Sequence, residues 1–140
     1  MQTVLDPLSA LDMWKSTVVF RTADHGGLGG SHGGLRGKGP LPYEQECHVP
    51  CVVVHPEQPG GRNCEALTSH VDLVPTLAGL TGVDAKQRDE ALKGLPGRDF
   101  SRLLDDPENA KTDAGRAVPY TPLTLSAHLR VTLTPPSPTA

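Results

Sequence analysis

A carboxylate followed at once by an imidazole is the strongest chemical signal in this 140-residue chain. Asp24 and His25 come after an apolar, β-branched run, and Gly26 and Gly27 follow them directly. Glycine permits a sharp backbone turn, which lets two neighbouring side chains reach one cation. The pattern therefore indicates two metal ligands. An Asp-His dipeptide alone is more often an Asp that caps a turn beside a solvated His. Other motifs in the sequence must therefore distinguish a metal site from a turn.

The order of apolar, β-branched and glycine residues predicts the elements that position this pair. Residues 17–20 are apolar and largely β-branched, which predicts a strand covered on both faces, as in an α/β sheet. Residues 26–39 contain eight glycines without a regular hydrophobic period, which predicts a loop. A second strand is predicted over residues 49–55, entered through residues 43–45 and ended by the prolines and glycines of residues 56–61.

A short helix is predicted before the first strand. Asp6 and Pro7 have the character of an N-cap and a first helical residue, with Leu8, Leu11 and Trp14 on one face. The resulting order of helix, strand, glycine loop, strand and second helix predicts an α/β fold. In such sheets ligands bind beside the loop that follows a strand, so the glycine loop is the expected place for a site.

The second helix is predicted over residues 69–81, where leucines recur at helical spacing. Ser69 and Asp72 can form a capping box. Pro75 fits a helix only in its first turn, which would make Asp72 the effective N-cap and weaken the capping box. His70 and Asp72 are therefore expected to be structural residues that orient the start of this helix.

Charge and hydropathy exclude several classes of protein. The net charge is −3 and the 13 basic residues are scattered, whereas nucleic-acid binding requires clustered Lys and Arg. The sequence contains no apolar run of about 18 residues and no charged leader followed by an apolar stretch. We therefore expect neither a nucleic-acid partner nor a membrane partner, and a soluble cytoplasmic protein.

The three cysteines, Cys47, Cys51 and Cys64, are expected to be reduced, because an odd number does not close a disulfide framework. His48 and His55 lie near them, which leaves a zinc site as the lesser alternative. Zinc-binding cysteine pairs are usually about two residues apart, and Cys51 opens the run predicted as a strand. Small thiols buried in the core are therefore favoured.

The end of the chain differs in composition. Residues 117–140 contain one charged residue and five prolines among many Ser and Thr. Prolines at this density block helices and central strands, and the few apolar residues cannot offset the entropy of ordering. The chain is therefore divided into a packed unit, residues 1–114, and a Pro/Thr/Ser-rich tail, residues 115–140, which is expected to be disordered.

A series of motifs resembles the sulfatase family. In that family a strand ends in Ser/Thr, Asp, His/Asn and Gly, and a glycine loop carries Gly-x-His-Gly and Gly-Lys-Gly. Tyr-Glu then precedes a strand entered through Val-Pro, and a helix opens as Ser-His-x-Asp-x-x-Pro-Thr. The matching segments are residues 22–26, 30–33, 37–39, 43–44, 49–50 and 69–76. This resemblance spans roughly residues 5–114, and implies a sulfuric ester hydrolase with a partial alkaline-phosphatase-like sheet and flanking helices.

The resemblance implies roles for four residues. Asp24 and His25 match the second pair of metal ligands, and Lys38 matches the lysine that contacts a sulfate oxygen. His32 matches the histidine of Gly-x-His-Gly, which can orient substrate or move a proton; a loop histidine satisfied by backbone groups is an equal alternative. The implied cofactor is a divalent cation, calcium first, with manganese or magnesium as alternatives.

Two parts of a sulfatase site have no counterpart in this sequence. The family makes its nucleophile, a formylglycine, from Cys or Ser in Cys-x-Pro/Ala-x-Arg, and none of the three cysteines begins that pattern. The amino-terminal Asp-Asp metal pair is also absent. The chain alone is therefore expected to be inactive. For the complete enzyme, the resemblance implies a sulfate ester substrate and a complementary amino-terminal half.

Other functions compete with this interpretation. A nucleotide-binding loop fails in detail, because it needs Gly five residues before Gly37 and Ser or Thr after Lys38, where this chain has His32 and Gly39. A phosphodiesterase or phosphonate monoester hydrolase of the same superfamily shares the Asp-His pair and stays open. A non-catalytic fragment that only binds a metal also stays open.

Overall fold

Helices and a mixed β-sheet make up the part of the chain described by the computed structural model, residues 2–39, 41–107 and 128–134. The helices are α1 (Gln2–Ala10), α2 (Ser31–Gly34), α3 (Glu44–Cys47), α4 (Leu73–Leu80) and α5 (Ala85–Ala91). The strands are β1 (Val19–Thr22), β2 (His48–Val54), β3 (Arg62–Ser69) and β4 (His128–Thr134). Short 3-10 turns cover Met13–Ser16, His70–Asp72 and Ser101–Leu104. This mixture agrees with the predicted α/β class, and the alkaline-phosphatase-like architecture stays a prediction.

The strands lie in the order β1-β2-β4-β3. β1 runs antiparallel to β2, with Thr22 opposite Cys51. β2 and β4 are parallel, whereas β4 and β3 are antiparallel. β1 is therefore at an edge of the described sheet, and its last residue leads directly into the segment that carries Asp24 and His25.

β1 and β2 confirm the two strands predicted from the apolar, β-branched runs, with their ends shifted by a residue or two. In β2, Val49, Cys51 and Val53 are buried while the residues between them are more exposed. This alternation is that of a strand that buries one face in a core. On β1, the partly buried Phe20 packs against the same core, so the strand that carries the candidate ligands is anchored by its apolar side chains.

β4 lies in the tail for which the composition predicts disorder. The backbone of this strand pairs with β2 along its whole length and with β3 on its other side. Residues 129, 131 and 133 are Leu, Val and Leu, and no proline interrupts them; this alternation suits a strand. The structure therefore differs from the prediction over residues 128–134, because a short proline-free run is enough to add a strand. The rest of residues 115–140 lies outside the described residues.

The core forms where alternate residues of β2 and β3 meet the segment around residue 100. Its buried members are Val49, Cys51, Val53, Cys64, Ala66, Phe100 and Leu104. Cys51 and Cys64 are free, buried thiols, as expected, and Cys47 is half-buried. Burial raises the pKa of the Cys51 thiol to about 11, so this thiol stays protonated at neutral pH and is a poor metal ligand.

The start of α1 differs from its prediction. The helix begins at Gln2, so Asp6 is not its N-cap and Pro7 lies inside it. Pro7 is the sixth of the nine residues of this helix, a position where a proline removes a backbone hydrogen bond and is costly, so the prediction that Pro7 is the first helical residue is wrong. Trp14 is buried in the following 3-10 turn and its Nε1–H donates to Ser9 Oγ at 2.8 Å, whereas Leu11 is exposed. Each helix in the described residues is too short or too polar to cross a membrane.

α4 begins as its proline predicts. Asp72 is the N-cap residue of this helix and Pro75 lies in its first turn, where a missing N–H leaves no bond unmade. The capping box forms as well, because Ser69 starts a separate 3-10 turn just before α4. The capping box is therefore confirmed, whereas Asp72 precedes α4 without a side-chain cap bond to it. The helix predicted over residues 69–81 is divided into a 3-10 turn and α4, which begins at Leu73.

Candidate functional site

Asp24 and His25 lie just beyond the end of β1 and face each other. Asp24 Oδ2 is 3.4 Å from His25 Nε2. His25 Nδ1–H donates to the Gly26 carbonyl at 2.6 Å, since a carbonyl oxygen can only accept. In the neutral ring Nε2 is therefore unprotonated, and its lone pair lies close to a carboxylate oxygen. A cation between these two atoms, or a proton on Nε2, stabilises this arrangement.

The separation of the two atoms is compatible with a shared metal ion. Two ligand atoms that each stand about 2.3 Å from one cation are about 3.3 Å apart at a right angle. The carboxylate suits calcium, magnesium or manganese, and the imidazole beside it selects none of these three ions. Among the residues with described positions, no group of three or more His, Cys, Asp and Glu side chains could hold a metal ion. Asp24 and His25 could therefore supply only two of the ligands that a metal ion needs.

The electrostatics of Asp24 favour its charged form. The backbone N–H of His25 lowers the pKa of the Asp24 carboxyl below its usual 3.8, the charge of His25 lowers it further, and Lys38 contributes last. The Asp24 side chain is 87% exposed, so solvent weakens each of these interactions. Lys38 is also exposed and follows Gly37, whose φ is 72°. The charge of Lys38 is the smallest of the contributions that lower the pKa of Asp24.

The Asp24 carboxyl is expected to titrate below pH 3.8 in a carboxyl-detected NMR titration. His25→Ala should move the midpoint back toward 3.8 more than Lys38→Ala does, and the control His48→Ala should leave it unchanged. Because the pKa in the folded chain is depressed, the resulting stabilisation is present above the unfolded pKa and is lost as the pH falls through the folded value. A midpoint at or above 3.8 in the unmodified chain would contradict this.

His32 is held by a different segment. Its ring stacks on Tyr43, with centroids 3.8 Å apart and planes inclined by 17°. Its Nε2–H donates to Gln45 Oε1 at 3.1 Å. Its own φ is 52°, in the left-handed region. The contacts described for His32 thus join the glycine loop to the residues before β2, and a role in proton transfer stays a prediction.

His70 fixes the end of β1. Its Nε2–H donates to the carbonyl of Ala23 at 2.6 Å, and Ala23 immediately precedes the metal-ligand candidate Asp24. Asp72 accepts from the Ser69 N–H at 2.8 Å. These contacts agree with the structural roles expected for His70 and Asp72. The hydrogen bond from His70 to Ala23 could not be predicted, because a local sequence pattern carries no information about a contact 47 residues away.

Glu46 is a functional candidate that sequence reasoning missed. It is 4% exposed, although a glutamate in a polar segment is ordinarily expected at the surface. Its backbone carbonyl accepts from the Gly26 N–H at 2.9 Å, and its Oε1 accepts from the Gly39 N–H. It therefore contacts the residue after His25 and the residue after Lys38.

Comparison with known proteins identifies the family. The model of the sulfatase family matches residues 1–83, more than half of the chain. Mouse steryl-sulfatase is 34% identical over 113 residues, which cover 72% of this chain and 18% of that protein. The chain thus spans about a fifth of the length of this curated relative, and no solved structure matches it. The resemblance of the six motifs is confirmed, and this chain belongs to the sulfatase family.

Proposed function

We propose that this chain supplies Asp24 and His25 as metal ligands, and Lys38 as a sulfate-contacting residue, to a metal-dependent sulfuric ester hydrolase. The observation that carries the proposal is the 3.4 Å separation of Asp24 Oδ2 and His25 Nε2. The bond from His25 Nδ1 to the Gly26 carbonyl leaves that Nε2 free to coordinate. Family membership supports it, as does the position of Lys38 in the glycine loop that follows the Asp24 and His25 pair.

Each residue has a distinct task in this proposal. Asp24 and His25 hold a divalent cation, with calcium first and manganese or magnesium as the alternatives, all by family analogy, because the imidazole leaves the metal open. When bound, the cation neutralises charge on the sulfuryl oxygens. Lys38 places its ammonium against a sulfate oxygen and stabilises the charge that develops as the S–O bond breaks. His32 orients the substrate or transfers a proton from its position on Tyr43.

The remaining parts of the site lie outside this sequence. A nucleophile and further metal ligands must come from a longer protein or from a complementary amino-terminal chain. We therefore expect no turnover of p-nitrophenyl sulfate by this chain alone, with or without metal. Turnover of p-nitrophenyl phosphate in preference to sulfate, once the missing part is supplied, would instead favour a phosphodiesterase or phosphonate monoester hydrolase.

Metal binding by isothermal titration calorimetry tests the proposal. Calcium, manganese or magnesium should bind the chain, and Asp24→Ala should weaken the binding by about tenfold or more. A matched control exists, because His48 Nδ1 and Glu44 Oε1 form an exposed acid–imidazole pair at 3.3 Å. Glu44→Ala should leave the affinity within about twofold.

Two outcomes would overturn the proposal. The first is that none of the three ions binds. The second is that Asp24→Ala and Glu44→Ala weaken binding equally, since this would mean that any acid–imidazole pair on the surface attracts the ion.

A further inference from the structure

One buried glutamate holds both ends of the glycine loop. The backbone carbonyl of Glu46 accepts from the Gly26 N–H at 2.9 Å, and its carboxylate Oε1 accepts from the Gly39 N–H. Gly26 directly follows His25, and Gly39 directly follows Lys38. The single residue Glu46 therefore contacts the chain immediately beyond the proposed metal ligands and immediately beyond the proposed sulfate-binding lysine.

The loop between these two contacts has internal bonds of its own and is also joined to the residues before β2 through His32. Five of its glycines have a positive φ, and glycine loses more backbone freedom on ordering than any other residue. Four backbone bonds lie within the loop, from the N–H groups of Leu28, Gly30, Ser31 and Leu35 to the carbonyls of Gly37, Leu35, Leu28 and Ser31 respectively. None of these four bonds involves Lys38 or Gly39. Among residues 2–39, 41–107 and 128–134, no ion pair or hydrogen bond of the Lys38 ammonium is found that would fix its position. The position of Lys38 relative to Asp24 therefore depends on how the loop ends are held.

The burial of Glu46 indicates what the side chain contributes. Its other carboxylate oxygen, Oε2, is buried without a hydrogen-bond partner among the residues with described positions. A buried carboxylate with an unsatisfied oxygen is costly, and an apolar side chain of similar size would fill the same space beside Leu28 and Gly39 more cheaply. The favourable contribution of this carboxylate is therefore its hydrogen bond to Gly39 and not its packing.

We infer that Glu46 is a positioning residue that sets the distance between the Asp24 and His25 pair and Lys38. Its backbone carbonyl holds the end of the loop next to His25, and its carboxylate holds the end of the loop next to Lys38. Glu46 acts through the loop and touches neither the cation nor the anion. The role of Glu46 in ion binding rests on the proposed function. The two hydrogen bonds from the loop to Glu46 exist in the ligand-free chain and do not depend on that function.

Amide hydrogen exchange on the ligand-free chain tests whether the Glu46 carboxylate restrains the Gly39 end of the loop. Glu46→Leu removes the acceptor at similar volume, so exchange at the Gly39 amide should become about tenfold faster. The Gly26 amide should stay protected, because it bonds to the backbone of residue 46. Glu46→Gln keeps a carboxamide oxygen as acceptor and should restore slow exchange at Gly39.

The inference fails if Gly39 is as protected in Glu46→Leu as in the unmodified chain. It also fails if Gly26 and Gly39 accelerate together, because that pattern would show general loosening. If Glu46→Leu does not fold, Glu46→Met replaces it with the same expectation, since a flexible methionine adapts to irregular space.

Sulfate binding tests whether Glu46 positions Lys38. Inorganic sulfate is titrated into the metal-loaded chain, and binding is followed by the NMR shift of the Gly39 amide. Glu46→Leu should weaken sulfate binding by about tenfold while metal affinity stays within about threefold. Glu46→Gln should bind sulfate nearly as the unmodified chain does. Equal losses of metal and sulfate affinity would contradict a positioning role. If the unmodified chain binds neither ion, the proposed function fails, and amide exchange still decides whether Glu46 fastens the loop.

Discussion

Gly26→Ala is expected to destabilise the chain by about 2–3 kcal/mol and to abolish metal binding at Asp24 and His25. A β-carbon at this position would overlap the carbonyl oxygen of Gln45 and lie 3.2 Å from the Cα of Glu46. Both neighbours are backbone atoms that precede β2, so neither can move aside as a flexible side chain would. The chain must therefore give up the bond from the Gly26 N–H to the Glu46 carbonyl, and with it the position of His25.

The adjacent glycine provides a matched control. A β-carbon on Gly27 would meet only the carbonyl oxygen of Gly37, at an ordinary 3.7 Å. Gly27→Ala is therefore expected to change the free energy of unfolding by less than about 1 kcal/mol. Urea unfolding measures both variants, and calorimetry measures their metal affinity. Equal stabilities of the two variants would mean that the close approach of Gly26 to the residues before β2 does not constrain the loop.

The strands that carry the candidate site could be predicted because their signals are local. Val19 and Phe20 open β1, and β2 contains four valines; β-branched and aromatic residues are enriched in strands because they fit a pleated, half-buried surface. β3 was missed because its buried positions, Cys64, Ala66 and Thr68, are small and carry little hydrophobic contrast. Its partner β4 lies in the proline-rich tail, so the pairing that stabilises both strands is not visible in either segment alone.

The contacts that position the candidate site are likewise not visible in any one segment of the sequence. Asp24, His25 and Lys38 could be named in advance, since their spacing around a glycine loop is a sequence pattern. The contacts that position them could not, because His70 reaches Ala23 and Glu46 reaches both loop ends only after the chain has folded. Sequence patterns thus identify groups able to do chemistry, whereas the groups that hold them in place are found from the structure.

Asp72→Ala is expected to cost about 3 kcal/mol, because it removes two charge-assisted hydrogen bonds at once. Asp72 Oδ2 accepts from the Ser69 N–H and Oδ1 accepts from the Arg98 N–H, each at 2.8 Å. The first bond closes the turn that leads into α4, and the second ties that turn to a segment 26 residues away. Loss of the carboxylate leaves the half-buried Ser69 N–H without an acceptor and frees the exposed segment at Arg98 from the turn.

Asp84 is the matched control for this prediction. Its carboxylate also accepts two backbone N–H bonds, from Lys86 at 3.0 Å and Gln87 at 3.2 Å. Those donors are exposed at the start of α5 and return to water when the acceptor is removed, so Asp84→Ala should cost only about 1 kcal/mol. Urea unfolding of the two variants decides the comparison, and a loss for Asp72→Ala no larger than for Asp84→Ala would contradict it.

The effect of Asp72→Ala should extend to the candidate metal ligands. His70 lies in the turn that Asp72 closes, and its Nε2–H holds the Ala23 carbonyl beside Asp24. Loosening this turn therefore weakens the restraint on the end of β1, and metal affinity should fall together with stability. Asp84→Ala should leave metal affinity unchanged, because the two bonds that its carboxylate accepts lie within the first turn of α5. A loss of stability without a loss of metal affinity would show that β1 holds its ligands without the help of His70.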